Sequence, residues 1–477
     1  MSQPARKIAE WIDSRVGLTN TMLRPGPEYS LNVFYWLGAL MVMAFLLQGL
    51  TGLLMLLYYT PTVNEAYSST LFIIQYVPLG NLLETIHLYS AYAMILLAFM
   101  HLMRGYFASV QKKPREFMWV IGMLMGLVVL GFGLTGYLLP WTVVSKSATD
   151  VTIGMISLLP GQLGPALKFL IAGPGSDASE LARFFDLHVV LLPAIFVVLL
   201  VFKMYMFEIH GAAEPATGVK GKVRDIPWFP NIFLYFSMLS AIFLALLIAV
   251  STVFPISLPP EFTPATASAY TPQPEWYFLW IYQILKFSVF EGPWINLYVN
   301  GTAVALGLTT LLLALLILLP FFDRRRERNP ARRPIYTTLG AIAVVEVLVL
   351  TVWGYLTPGQ VIPDSDAAVI TGGVAIVISI ISWITFRTRR QVALGLVRAR
   401  SFAAFMSTPF RVPVLTGLFA ILLAVSSASF ATFVNLVALP WSTIIFSSLA
   451  LAVLSLIAMV FVVKQLAAGD KLREVQC

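Results

Sequence analysis

Ten apolar segments dominate the sequence, and each is long enough to cross the hydrocarbon core of a lipid bilayer as a helix of about 20 residues. They cover residues 33–59, 83–108, 117–139, 186–209, 231–254, 300–321, 335–357, 367–386, 413–437 and 440–464. With 58% hydrophobic and only 11% charged residues, the composition excludes an ordinary soluble protein. The sequence therefore predicts an all-α polytopic membrane protein with about ten spans.

Basic residues gather in alternate connections between these segments. The clusters are Lys112, Lys113 and Arg115; Lys220, Lys222 and Arg224; Arg324, Arg325, Arg326 and Arg328; and Arg387, Arg389 and Arg390. Because cytoplasmic loops carry an excess of Lys and Arg, we expect a multi-pass protein of the cell membrane with both termini cytoplasmic. This topology explains the net charge of +8 without a nucleic-acid partner. Connections 140–185 and 255–299 then lie outside, and residues 5–17 are predicted to form an amphipathic helix at the membrane surface.

Two pairs of potential metal ligands lie on two of the predicted spans. His87 and His101 are fourteen residues apart, so they share a helix face at a separation of roughly 21 Å. His188 and Lys203, on the fourth span, are fifteen residues apart, a rise of roughly 22 Å. In the predicted topology His87 is level with His188 near the outer side, and His101 is level with Lys203 near the inner side. Two such helices can clamp two cofactors stacked across the membrane.

Glycines repeat this spacing on the other two helices of the group. Gly38 and Gly52 are fourteen residues apart on the first span, and Gly122 and Gly136 are fourteen apart on the third. Glycine lets a flat ligand approach the backbone closely, although it also serves plain helix packing in membranes. Two matched pairs favour cofactor planes beside these glycines.

Together these features resemble cytochrome b of the cytochrome bc1/b6f family. The resemblance is carried by the His87/His101 pair and by QGLTG at 48–52, KKPRE at 112–116, LTGYLLPW at 134–141, RFFDLH at 183–188 and PEWY at 274–277. It covers about residues 5–335 and leaves the last three spans as an extension.

The resemblance implies a four-helix haem-binding bundle followed by additional transmembrane helices. The domains expected are a cytoplasmic amphipathic segment at 1–30, a di-haem domain at 31–225, a C-terminal cytochrome b domain with the PEWY quinol loop at 226–334, and extra helices at 335–477.

The resemblance also implies the haem ligands. His87 and His188 would bind the iron of the outer haem, and His101 that of the inner haem, opposite the position that the family fills with histidine and this chain with Lys203. Three interpretations of Lys203 remain open. It binds the iron through a neutral amine, or it extends uncoordinated toward the cytoplasmic interface, or His210 replaces it from roughly 10 Å deeper.

Charged residues near the expected haems depart from the family pattern. Glu84 stands three residues before His87, where relatives commonly carry an arginine near the haem propionates. Arg183 is then the expected propionate partner, or Glu84 is an ordinary interfacial carboxylate. Arg104 is placed to meet the inner haem's propionates or to mark the membrane boundary.

Quinol chemistry is implied by the PEWY loop. Quinol oxidation releases two protons and two electrons, so a buried site needs a proton acceptor, and Glu275 is the candidate. Pro274 stiffens the loop, Trp276 and Tyr277 line the pocket, and Tyr282 matches a tyrosine that the family keeps at this site.

Electron transfer in the family splits between two partners. One electron leaves to a Rieske iron–sulfur protein, which must be a separate chain because Cys477 is the only cysteine here. The other passes through both haems to an inner quinone, for which His210 and Asp225 are candidates. Further partners are cytochrome c or a copper protein, membrane lipid and a second copy of the chain.

Two alternatives remain. The chain also resembles the cytochrome b-like subunits of archaeal quinol oxidase supercomplexes, in which A-type haems replace b-type ones beside a haem-copper oxidase. A secondary transporter, the alternative of another class, predicts inverted repeats and discontinuous helices. The sequence shows neither, and a transporter leaves the matched ligand spacing unexplained.

Overall fold

The structure is a computed structural model that describes residues 11, 14–15, 25–159, 161–216, 223–290, 293–294 and 299–393. The predicted spans 413–437 and 440–464 lie outside these residues, as does most of the predicted amphipathic segment 5–17. Every contact discussed below lies within one compact unit, Met1–Ser240 with Ile256–Ser382.

Helices make up most of the described chain. In chain order they are α1 (Leu37–Met55), α2 (Ala66–Tyr76), α3 (Gly80–Phe107), α4 (Glu116–Leu138), α5 (Val143–Ser157), α6 (Leu163–Ala172), α7 (Asp177–Asp186), α8 (Leu192–His210), α9 (Phe233–Val253), α10 (Pro264–Ser268), α11 (Leu279–Leu285), α12 (Gly301–Ile317), α13 (Leu319–Phe322), α14 (Pro334–Leu356) and α15 (Asp364–Ala393). Single π-helical turns precede α8 and α9, at Leu187–Leu191 and Trp228–Ile232, and short 3₁₀ turns lie at Glu28–Ser30, Val33–Tyr35, Ser288–Phe290 and Pro330–Arg332.

Seven helical stretches in the described residues are long and apolar enough to cross a membrane: α1, α3, α4, α7 with α8, α9, α14 and α15. They confirm the all-α polytopic fold class. The predicted span 300–321 differs, because α12 ends at Ile317 and Pro320 begins a separate turn, α13. Proline cannot continue a helix without losing a hydrogen bond, and the 17 residues of α12 rise only roughly 26 Å.

Two antiparallel ribbons accompany the helices. β1 (Pro25–Pro27) pairs with β2 (Asp225–Pro227), with Pro25 opposite Pro227. β3 (Pro293–Trp294) pairs with β4 (Val299–Asn300).

Helix packing brings the glycine-bearing helices beside the histidine-bearing ones. α1 packs against α3, and α4 packs against α8. The opposite side of α1 exposes Leu46, Leu50 and Leu53, as expected for a face in contact with lipid. The haem-site residues predicted from the sequence therefore lie on the inward sides of two packed helix pairs.

The outer connection 140–185 folds into α5, α6 and α7 around a hydrophobic core. Leu138, Trp141, Ile153, Leu181 and Phe184 form its buried centre. This core fixes the outer ends of α4 and α8 relative to each other, at the level where His188 lies.

A buried ion network joins the inner end of α3 to α14. Asp323 accepts hydrogen bonds from Arg333 Nη2 at 2.6 Å and from Lys112 Nζ at 3.2 Å, and all three side chains are less than a tenth exposed. The rings of Tyr106 and Tyr336 stack with centres 4.1 Å apart, and each hydroxyl donates to the other residue's main-chain carbonyl.

Candidate functional site

Glycines face the outer pair of histidines from the neighbouring helices. A Cβ atom added at Gly52 would lie 3.4 Å from His87 Cε1, which is ordinary van der Waals contact. A Cβ atom added at Gly136 would lie 2.5 Å from His188 Cε1, closer than real Cβ contacts allow. The glycines on α1 and α4 thus give each imidazole room at its own level.

The inner pair has the same arrangement. A Cβ atom at Gly38 would lie 3.4 Å from His101 Cε1, and one at Gly122 would lie 3.0 Å from Lys203 Nζ. The side chain of Lys203 therefore approaches Gly122 closely, just as the side chain of His188 approaches Gly136. Its amine lies inside the bundle, in the register of a fourth ligand.

A π-helical turn reconciles the spacing of the candidate ligands on the fourth span with the spacing of the glycines on the third. The candidate ligands His188 and Lys203 are fifteen residues apart, but the glycines that face them, Gly136 and Gly122, are only fourteen apart. The turn Leu187–Leu191 is π-helical, and a π turn holds an extra residue relative to an α turn. It absorbs the additional residue, so both ligands face α4.

The outer histidine rings are separated by the distance that a six-coordinate metal requires. Their centres lie 6.4 Å apart, and their planes are inclined by 66°. Two metal–nitrogen bonds of about 2 Å each, plus the distance from each nitrogen to its ring centre, add up to roughly 6 Å. His87 and His188 therefore fit a haem iron between them.

Two threonines, to which the sequence analysis assigned no role, orient these rings. Thr51 Oγ1 lies 2.8 Å from His87 Nδ1, and Thr135 Oγ1 lies 3.1 Å from His188 Nδ1. Each hydroxyl also donates to the carbonyl four residues earlier on its own helix, at 2.8 Å in both cases. A signal was present in the sequence, because Leu-Thr-Gly occurs at both 50–52 and 134–136.

The inner pair lacks such partners within the described residues. His101 Nδ1 is buried and has no hydrogen-bond partner there. Over the same part of the chain, Lys203 Nζ makes no hydrogen bond or ion pair. An unpaired amine beside a buried imidazole is suited to share a metal ion with it.

The arginines predicted to meet haem propionates are held by other groups. Arg183 Nη1 donates to the Leu170 carbonyl at 3.0 Å, and the Arg104 guanidinium lies 4.0 Å from the ring centre of Tyr35. Neither contact involves a histidine ring. The roles of these arginines and of Glu84 at the propionates stay predictions.

The residues predicted for an inner quinone site lie near the inner end of α8. His210 is the last residue of α8, and its carbonyl accepts a hydrogen bond from Arg115 Nη2 at 2.8 Å. Asp225 is exposed in β2. The described contacts do not join these two side chains.

The PEWY loop places a buried carboxyl group, that of Glu275, beside α3. Tyr92 Oη on α3 donates to Glu275 Oε2 at 2.8 Å. Burial raises the pKa of Glu275, while the hydrogen bond from Tyr92 acts in the opposite direction. A carboxylate with a raised pKa can accept a proton near neutral pH.

This carboxyl group borders a cleft between α4, α5 and the PEWY loop. The cleft is lined by Gly133, Leu134, Tyr137, Ala148, Thr149, Thr152, Pro274, Glu275, Tyr277 and Phe278. Trp276 lies outside this lining and packs edge-on against Tyr92, with ring centres 6.2 Å apart. The α5 residues were not expected from the sequence, because no motif marks them.

Tyr282 supports the PEWY loop through a hydrogen bond to the residues that precede it. Its hydroxyl donates to the Pro272 carbonyl at 2.9 Å. Lys286 Nζ lies 5.2 Å from the Tyr282 ring centre and donates to Thr357. Burial lowers the pKa of Lys286 to about 8. The observed role of Tyr282 is thus to hold the shape of the loop, and its contact with quinol stays a prediction.

Comparisons with known proteins agree with this geometry. Two family models match, Cytochrome b(N-terminal)/b6/petB over residues 92–260 and Cytochrome b(C-terminal)/b6/petD over residues 265–378. A cytochrome bc complex cytochrome b subunit from Chlorobaculum thiosulfatiphilum is 35% identical over 355 residues, covering 72% of this chain and 80% of the relative. Cytochrome b from Sulfolobus acidocaldarius is 32% identical over 463 residues, covering 86% and 80%.

A solved structure shares the fold. A chain of a hyperthermophilic respiratory Complex III matches with a TM-score of 0.65 and 23% identity, covering 80% of this chain and 97% of that one. Family models over more than half of the sequence, and relatives matched over four fifths of their length, confirm the resemblance that the ligand spacing indicated: the chain belongs to the cytochrome b family of bc-type complexes.

Proposed function

We propose that this chain is the di-haem, quinol-oxidising cytochrome b subunit of a respiratory complex in the cell membrane, with both termini cytoplasmic. The observation that carries the proposal is the outer pair, His87 and His188, whose ring centres lie 6.4 Å apart. The domain division at residues 30, 225 and 334 belongs to the same proposal.

The four proposed ligands hold two haem irons. His87 and His188 bind the outer one, and His101 and Lys203 bind the inner one, while Gly38, Gly52, Gly122 and Gly136 leave room beside the ligands. When bound, the haems supply a one-electron path across the membrane. Ligation by Lys203 is supported by its position at Gly122, and it requires the neutral amine, which a low-dielectric interior favours.

Glu275 accepts a proton from the quinol. Removing two electrons and two protons converts a quinol to a quinone, so each electron that leaves requires a proton acceptor close to the quinol oxygen. Pro274 and Tyr277 line the cleft beside Glu275, Trp276 packs against Tyr92 next to it, and Tyr282 maintains the loop. The hydrogen bond from Tyr92 orients Glu275 Oε2 before it takes the proton.

The two electrons leave by different routes. A separate Rieske protein takes one, because this chain's single cysteine cannot hold an iron–sulfur cluster. The bound haems would supply the route for the other, and a quinone near His210 and Asp225 would accept it. Cytochrome c or a copper protein receives the Rieske electron, and the complex is a homodimer in membrane lipid.

The same resemblance implies an alternative assembly, a quinol oxidase supercomplex with A-type haems and haem-copper oxidase subunits. The Sulfolobus acidocaldarius relative, matched over 86% of this chain, is named cytochrome b, a name that fits either assembly. A pyridine haemochrome spectrum of the purified complex distinguishes the assemblies, because it reports haem type and number together.

Variants at Lys203 test the proposed ligand set. In the purified complex we expect Lys203→Ala to convert the inner haem from low-spin to high-spin, and Lys203→His to keep it low-spin. His87→Ala should remove only the outer haem's signal. A low-spin inner haem in Lys203→Ala would exclude amine ligation, and a wild-type complex without any Soret absorption would exclude the redox function and favour the transporter.

A further inference from the structure

We propose that Thr51 and Thr135 lower the reduction potential of the outer haem by accepting a hydrogen bond from each of its two histidine ligands. Within the described residues, the inner pair of proposed ligands has no equivalent hydroxyl groups. This inference rests on the proposed function, in which His87 and His188 bind the outer iron.

The direction of each hydrogen bond follows from the position of the hydroxyl proton. Thr51 and Thr135 are 3% and 5% exposed, so their hydroxyl groups cannot rely on bulk water. Each donates its one proton to the carbonyl four residues earlier. Towards the imidazole each hydroxyl can then only accept, so Nδ1 of His87 and of His188 carries the ring proton and Nε2 keeps its lone pair for the iron.

A hydrogen bond at Nδ1 changes what the ligand does to the metal. Partial withdrawal of the ring proton makes the imidazole a stronger electron donor, which stabilises the ferric over the ferrous state. Both outer ligands carry this bond. The contact is shorter at His87, where Thr51 Oγ1 lies 2.8 Å from Nδ1, than at His188, where Thr135 Oγ1 lies 3.1 Å from Nδ1.

The inner level differs at the same register positions. Gly52 is preceded by Thr51, but Gly38, which faces His101, is preceded by Leu37. Leu37 is buried and carries no hydroxyl, and within the described residues His101 Nδ1 is left without an acceptor. Lys203, the proposed second inner ligand, has no ring N–H to donate. The difference in hydrogen bonding between the outer and inner levels therefore arises from the residues that precede the glycines.

Redox titration of the purified complex, followed in the haem absorbance bands, tests this inference. We expect Thr51→Val, which keeps the shape of the side chain and removes the acceptor, to raise the outer midpoint. The expected change in the reduced-to-oxidised ratio at a fixed potential is about tenfold, which is 59 mV for a one-electron couple. Thr51→Ser, the matched control, keeps the hydroxyl and should keep the midpoint.

Further variants separate the tuning role from a merely structural one. Thr135→Val should shift the outer midpoint in the same direction but less, because the contact of Thr135 with His188 is the longer of the two. The inner midpoint should stay constant in all three variants. An unchanged outer midpoint in Thr51→Val, or an equal rise in Thr51→Ser, would overturn the inference. If Thr51→Val does not assemble, Thr51→Ala and Thr135→Val provide the same comparison.

The failure of the proposed function would look different. In that case His87→Ala would leave the outer haem's signal intact, so that no midpoint could be assigned to the His87–His188 pair. With the signal lost in His87→Ala, a constant midpoint in the threonine variants contradicts the tuning role alone.

Discussion

Replacing Gly136 by alanine should remove or disrupt the outer haem while the protein remains folded. Glycine destabilises a helix interior by about 1 kcal/mol relative to alanine, so the backbone of α4 gains from the change. The unfavourable effect of the substitution arises at the proposed ligand, His188. The new Cβ atom would lie 2.5 Å from His188 Cε1 and 3.0 Å from both ring nitrogens.

The size of the disturbance follows from these distances. Ordinary van der Waals contact begins at 3.4 Å, so the ring of His188 must retreat by 3.4 Å minus 2.5 Å, that is 0.9 Å. Metal–ligand distances are held to within about 0.2 Å. A shift of this size also breaks the 3.1 Å hydrogen bond to Thr135. We therefore expect loss of the outer haem or its conversion to a high-spin form.

The assay compares Gly136→Ala with Gly52→Ala by reduced-minus-oxidised spectra and by the haem-to-protein ratio of the purified complex. Gly52 is the matched control, because its added Cβ would meet His87 Cε1 at 3.4 Å. It should keep both haems in low-spin form. Equal damage in the two variants would refute the reasoning, because the glycines would then be clearing space for the porphyrin rather than for the histidine ring.

Two further predictions concern the quinol loop and the inner face. Tyr92→Phe removes a hydrogen bond that favours the Glu275 carboxylate, so the pKa of Glu275 should rise and the acidic limb of the pH–rate profile of quinol oxidation should move to higher pH. The exposed Tyr205→Phe serves as the control, and an acidic limb that stays or moves to lower pH would contradict the assignment. Arg333→Met leaves the buried Asp323 with one charged partner, Lys112, and one neutral partner, Gln111, among the described residues, so the free energy of unfolding in detergent should fall by about 3 kcal/mol. Arg332→Met, which breaks an exposed pair with Glu327 at 3.4 Å, should change it by less than about 1 kcal/mol, and equal losses would show that the buried network is not the cause.

The levels of the candidate ligands along their helices could be predicted from the sequence because helix geometry is nearly fixed. Fourteen residues of α-helix always bring two side chains to nearly the same face, so His87 and His101, and the glycine pairs, could be assigned to levels without coordinates. The partnership of each glycine with one ligand depends on which helices pack together. Spacing alone does not determine which glycine faces which histidine or lysine. The structure shows it, because α1 packs on α3 and α4 packs on α8.

Other features lay beyond the sequence for identifiable reasons. The π turn at Leu187–Leu191 depends on how α7 continues into α8 over the outer core, and single-residue insertions leave no periodic signal. The hydrogen bond from the Arg183 guanidinium to the Leu170 carbonyl could not be predicted, because only the fold of α6 brings the two groups together. The end of α12 at Ile317 was readable in principle, because Pro320 marks it.

The difference between the two levels bears on the direction of electron flow. An electron that enters at the outer haem moves inward spontaneously only if the inner haem has the higher reduction potential. On our proposals, the chain contributes to this difference at its outer end, where Thr51 and Thr135 strengthen the donation of two imidazoles. The inner level then needs no second histidine to receive the electron, since any ligand that keeps its potential above the outer one suffices. An amine at position 203 is therefore compatible with inward electron transfer, and exchange of Lys203 for histidine should change the inner midpoint without changing the outer one.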